Sequence, residues 1–175
     1  MLPHANCWQC PDTHCDMVHI LCDCPSVQPF WLAVGTVLSE TLPLRLPLTK
    51  PLVLLHDPEP APDLFRPQRR LMHTALTTAK ICILRHWRSS TLPSQEEWLV
   101  AMVQTATYER VIYNLQDQAE LFLQTWAPLL RVTARHTGDP HFHCCILLPL
   151  RRDLLILPLL LFSLFFIFSF FCPLL

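Results

Sequence analysis

Prolines divide this chain before anything else is decided about its fold. Seven of its 17 prolines fall at positions 43, 47, 51, 58, 60, 62 and 67. A proline has no N–H to donate and holds φ at about −65°, so residues 43–67 are predicted to be an extended linker rather than a helix or a central strand. Glycine is the opposite case, with only 2 residues, Gly35 and Gly138. P-loops, dinucleotide-binding loops and nucleophile elbows all need glycine for tight turns or close backbone approach, and those classes are excluded. A length of 175 residues allows one ordinary domain, or a small module with long flanks. With 13 Lys+Arg against 14 Asp+Glu, no whole-chain field points to a polyanion or a membrane.

Helical periodicity carries the rest of the secondary structure. Residues 27–42 place Phe30, Trp31, Val34 and Val37/Leu38 at helical spacing and stop at Pro43. A first long helix is predicted from Gln68 to Trp87, with Leu71, Ala75, Leu76, Ala79 and Ile83 on one face. The loop Arg88–Pro93 follows, and Ser94-Gln-Glu-Glu97 reads as a capping box in which Glu97 reaches back to the cap. A second helix carries Trp98/Leu99, Met102/Val103 and Ala106, with an interruption at Glu109-Arg110. A third puts Leu115, Ala119, Phe122, Leu123, Trp126 and Leu130 on one stripe and bends or ends at Pro128. Trp87, Trp98 and Trp126 are read as anchors between these helices. No segment alternates as a strand does. The expected fold is therefore mainly α, in six zones: a Cys/His segment (1–26), a short helix (27–42), a Pro-rich linker (43–67), a small helical array (68–131), an irregular linker (132–153) and a hydrophobic tail (154–175).

Five of the nine cysteines, Cys7, Cys10, Cys15, Cys22 and Cys24, fall in the first 24 residues. Residues 1–25 contain neither a basic n-region nor an apolar run, so a secretory signal is not expected, and the compartment is read as reducing, cytosolic or nuclear. In that setting clustered Cys and His are metal ligands rather than disulfides. The spacing Cys7-x2-Cys10-x8-His19-x4-Cys24 supplies three thiolates and one imidazole, the donor set of a tetrahedral zinc knuckle. His14, Cys15 and Cys22 lie close enough in sequence to replace one of the four. A segment this short cannot bury a core, so the ion would supply its folding energy. Trp8, between the first two ligands, has two readings: a cover for the metal, or a platform on which an unpaired base stacks.

The same residues resemble the C-terminal segment of non-LTR (LINE-type) retrotransposon reverse transcriptases. The likeness runs from Cys7-Trp-Gln-Cys10 … His19-x4-Cys24-Pro-Ser-Val-Gln-Pro-Phe-Trp31, through Ala79-Lys80-x4-Arg85-His-Trp87-Arg-Ser … Pro93-Ser-x3-Trp98. It ends with Glu109-Arg-x-Ile-Tyr113 … Phe122-x3-Trp126-x-Pro128. It covers about residues 5–131. The resemblance implies a non-catalytic nucleic-acid-binding tail that holds RNA or single-stranded DNA, the family's polymerase and endonuclease parts being elsewhere. Two-metal polymerisation needs paired carboxylates, and the chain has no adjacent Asp-Asp.

Between Asp63 and Glu96 no acid occurs, whereas Arg66, Arg69, Arg70, Lys80, Arg85 and Arg88 do. This strip is expected to project from the first long helix and neutralise phosphates, with binding that weakens as salt rises; the alternative is a solvated face balanced by acids elsewhere. Ser89, Ser90 and Cys82 have no partners in sequence that would make a nucleophile, and His141, His143, Cys144 and Cys145 fit no standard metal spacing.

Residues 154–175 carry no charge. Twenty helical residues span about 30 Å, the thickness of bilayer hydrocarbon. Arg151 and Arg152 just before the tail predict a tail anchor in the lipid bilayer with the N-terminal side cytosolic. Untranslated sequence read through to a stop would have the same composition.

Overall fold

Phe30, Trp31, Val34, Val37 and Leu38 fall on one face of a helix, and that helix, α1 (Gln28–Thr41), buries all five. The structure, a computed structural model, describes residues 6–11, 15–43, 47–57 and 64–137. Among these residues there are four further α-helices: α2 (Lys50–Leu55), α3 (Arg66–His86), α4 (Gln95–Leu115) and α5 (Ala119–Thr137), and no strand. Helices α3, α4 and α5 pack on one another, and α1 packs on α5. Trp98 and Trp126 are fully enclosed at their centre, together with Leu71, Met72, Leu76, Met102 and Leu129. Trp87 is only half-buried, so it anchors less than the other two.

The periodic face expected of α3 is the buried one: Leu71, Ala75, Leu76, Ala79 and Ile83 all lie in the core. The helix starts two residues earlier than its periodicity suggests. Pro67 sits in the first turn, where the missing N–H has no intrahelical partner in any case. The Phe65 amide donates to Gln68 Oε1 at 3.1 Å and closes the end. At α4 the Ser94 hydroxyl accepts from the Glu97 amide at 3.0 Å, as the cap requires. Glu97 does not reach back, because its carboxylate lies 2.7 Å from His86 Nε2.

Three expectations are corrected by packing. First, the Pro-rich linker contains a helix, α2, whose Leu52 and Val53 are buried against the core. Thr49 caps it by accepting from Leu52 N, and Pro51 stands in the first turn, so proline here starts a helix rather than forbidding one. Gly35 faces Leu48 just before it; a Cβ there would stand 3.3 Å from Leu48 Cδ1. Second, Glu109-Arg110 does not interrupt α4. Glu109 accepts from Arg70 at 3.1 Å and from Trp126 Nε1 at 2.8 Å, so one carboxylate joins α3, α4 and α5. Third, α5 runs through Pro128 to Thr137, into the zone expected to be irregular. Pro128 has no N–H for Gln124, yet Leu129, Leu130, Val132 and Thr133 beyond it are buried, and that burial outweighs one lost bond. The break at Gln116–Gln118 also resets the helical phase. Leu115 is 70% exposed and Leu123 38%, while Phe122, Trp126 and Leu130 form the buried face.

Glu109→Ala is expected to cost about 1.5–3 kcal/mol in chemical denaturation, since it leaves a buried indole N–H without its acceptor. Glu109→Gln, which keeps an acceptor oxygen, should recover most of that.

Residues 154–175, with the expected tail anchor, and the group His141–Cys145 lie outside the described residues. Among the described residues no helix is long and apolar enough to cross a membrane.

Candidate metal centre

Cys7, Cys10, His19 and Cys24 come together. Their ligand atoms all lie within 4.8 Å of one another, and Cys7, His19 and Cys24 are buried. Cys7 Sγ is 3.8 Å from Cys24 Sγ, and Cys10 Sγ is 3.3 Å from His19 Nε2. An ion bonded tetrahedrally to sulfur at about 2.3 Å and to nitrogen at about 2.0 Å requires S···S edges of about 3.8 Å and S···N edges of about 3.5 Å. The two short contacts match those edges. The longest separation, 4.8 Å, exceeds an S···S edge by about 1 Å, the contraction that closing on an ion would require.

Local backbone explains the convergence. The Cys7–Cys10 turn directs the Gln9 amide at Cys7 Sγ, 3.4 Å away. Asp16 Oδ1 accepts from the His19 amide at 2.7 Å. His19–Asp23 then forms a π-helical turn, closed by the Cys24 amide on the His19 carbonyl at 2.8 Å. A wider turn of this kind is a common device at functional sites. Here it brings His19 and Cys24, five residues apart, to one ion-sized space. Trp31 Nε1 holds the turn from α1 by donating to the Leu21 carbonyl at 2.6 Å.

Burial by itself would push the Cys7 thiol up. Hydrogen bonds from the Gln9 amide, Cys10 and His19 outweigh it and bring Cys7 down to about 7, so its thiolate is well populated near neutral pH. Cys15 behaves oppositely: burial, and then the neighbouring Cys7, Cys10 and Cys24, push it up to about 11. It stays a thiol beside the group rather than within it. Cys22 is raised by burial and by Asp23, against the opposing pull of the Lys50 and Lys80 ammonium groups. His14, the remaining alternative ligand, lies outside the described residues.

The turn is fastened to the helical array by Gln9, whose role is not visible in the sequence. Its side-chain amide donates to the carbonyls of His86 at 2.8 Å and Ser89 at 2.7 Å, where the chain leaves α3. The Gln9 carbonyl accepts from Ser26 Oγ at 2.7 Å. The metal group therefore sits on the C-terminal end of α3. Trp8 is 65% exposed there, with most of its ring open to solvent. Arg85 and Arg88 are exposed at this same end.

The other basic positions are placed differently. Arg66 is exposed at the far end of α3, and Arg69 beside it has a buried Nε without a hydrogen-bond partner. Arg70 pairs with Glu109 and lies 5.2 Å over the Tyr113 ring. Lys80 is half-buried, with Nζ 3.4 Å from the Leu54 carbonyl and 3.1 Å from His56 Nε2; burial lowers it from the ordinary lysine value. Ser89, which had no evident partner in sequence, joins a chain: Ser89 Oγ to Thr91 Oγ1 at 2.8 Å, Thr91 Oγ1 to His86 Nδ1 at 2.9 Å, then His86 to Glu97. That chain staples the α3–α4 loop on which Gln9 rests. No protein-family model matches this chain, and no solved structure matches its fold.

Proposed function

We propose that the chain is a non-catalytic, retroelement-derived module in which a structural zinc ion orders the N-terminal turn and presents Trp8, Arg85 and Arg88 to RNA or single-stranded DNA. The observation that carries this reading is the four-atom ligand group with an exposed tryptophan between its first two cysteines. Three thiols and an imidazole favour zinc, a borderline-soft ion, over magnesium or calcium, which take oxygen ligands. Trp8 offers a π-face to an unpaired base, and the two arginines beside it neutralise the flanking phosphates. Arg66 and Arg69 extend the basic surface to the other end of α3. Arg70 and Lys80 contribute less, because a carboxylate and burial already engage them.

The test is binding of a fluorescent single-stranded RNA and a matching single-stranded DNA to the full, zinc-loaded chain across a salt series. Trp8→Ala should weaken binding by about 5- to 150-fold, the loss of one stacked base at about 1–3 kcal/mol. The Arg85→Ala/Arg88→Ala pair should flatten the slope of log K against log salt by about 1.4. A zinc-loaded chain that binds neither strand overturns the reading.

A further inference from the structure

His56 ends α2 in the left-handed region, at φ 56, its amide bonded to the Leu52 carbonyl at 3.0 Å. Its ring stacks on His73 of α3 with centroids 5.0 Å apart and an interplanar angle of 21°. His56 Nε2 lies 3.1 Å from Lys80 Nζ and 3.4 Å from Thr77 Oγ1. His73 Nε2 is buried with no hydrogen-bond partner. We propose that this pair is an acid-sensitive latch, in which protonation of the stacked imidazoles releases α2 from α3.

Charge and hydration both drive the release. A protonated His56 would carry its proton toward the Lys80 ammonium and stack its charge on His73. A protonated His73 has an N–H on both nitrogens, and the buried Nε2 finds neither acceptor nor water until the helices part. Among the described residues, the charged and titratable groups around the pair are Lys80 and Arg69 on α3, Cys22 on the π-helical turn near Lys80, and Asp57, next in the chain; the neutral Thr77 hydroxyl also faces His56. Lys50, at the other end of α2, pairs with Asp23 at 2.7 Å and so ties the same helix to the metal turn.

The direction with pH follows. Burial first, then Lys80 and His73, lower His56; burial first, then Arg69, lower His73. The closed form therefore binds fewer protons than the open form. Closure is fully favoured above the ordinary histidine value of about 6.5 and is lost as pH falls below it. Opening uncovers Leu52 and Val53, an apolar strap that neutral pH keeps against the core.

The test is hydrogen exchange by mass spectrometry on the full, metal-loaded chain at pH 7.5 and 6.0, corrected for intrinsic exchange, with metal content verified at both. Exchange of residues 50–56 should rise several-fold at pH 6.0, up to the ceiling of about 14-fold that two histidines opening to the ordinary value allow, while α4 and α5 keep their protection. The His56→Asn/His73→Phe double variant should abolish that rise, since neither side chain titrates, asparagine accepts the left-handed φ and phenylalanine fills the volume of the His73 ring. Equal protection of the wild-type strap at both pH values overturns the latch, and so does a double variant that opens as the wild type does. Should the variant fail to fold, proton NMR of the wild-type imidazoles decides: titration of both below the free-histidine value supports the latch, and titration of either at or above it overturns the latch.

Discussion

Cys24→Ser is expected to abolish metal binding and unfold the segment before α1, while α3, α4 and α5 stay folded. Cys24 is 1% exposed and stands 3.8 Å from Cys7 Sγ, so no water can take the place of its sulfur without opening the turn. Outer-shell partners alone are worth about 10–100-fold in metal affinity, and loss of a thiolate ligand should exceed that. In peptides that fold around zinc, the ion supplies about 10–16 kcal/mol, more than the hydrogen bonds of Trp31, Gln9 and Ser26 that also hold the segment before α1 can replace at about 1 kcal/mol each. Cobalt substitution makes the outcome visible: the wild-type chain should show tetrahedral thiolate absorption bands, and the variant none. Hydrogen exchange should rise in residues 6–11 and 15–27 while α3, α4 and α5 keep their protection. A serine variant that binds cobalt as tightly as the wild type would remove Cys24 from the ligand set.

Trp98→Ala should cost about 3–5 kcal/mol, a large share of the roughly 5–15 kcal/mol that stabilises an ordinary domain. Trp98 is fully enclosed, and its Nε1 donates to the Ala75 carbonyl at 3.1 Å, so truncation opens a cavity between α3 and α4 and removes a bond between them. The thermal midpoint followed by circular dichroism should fall on the order of 10–20 °C. Trp98→Phe keeps most of the ring volume and should lose well under half as much. A midpoint within a degree or two of the wild type in the alanine variant would mean that this tryptophan is not enclosed by the array.

Ligand types and helix faces were legible where a local rule decides them. The buried residues of α1 and α3 are those whose spacing repeats every three or four positions, and the Ser94 cap needed only a hydroxyl before the helix. The four metal-group residues could be singled out because three cysteines and a histidine at knuckle spacing form the donor set of a zinc site. Where partners lie far apart in sequence, local rules gave the wrong answer. Glu109 looks like a break in an apolar face until Arg70 and Trp126 arrive from two other helices. Lys80 looks like a solvent-facing cation until α2 folds over it. Leu115 looks like part of a continuous stripe until the turn at Asp117, with φ 54, rotates the next helix.

The chain's chemistry is written in residue types and short spacings: which atoms are able to ligate an ion, where helices begin, and which of their faces shed water. Those properties depend on groups within a turn or two of each other, so the order of residues settles them. Tertiary structure alone brought the four ligand atoms together and left Cys15 out of the group, clamped that turn to α3 through Gln9, and turned a proline-rich stretch into a helix capped by a stacked histidine. Each of those outcomes turns on burial or on a partner many positions away, and neither exists until the helices pack.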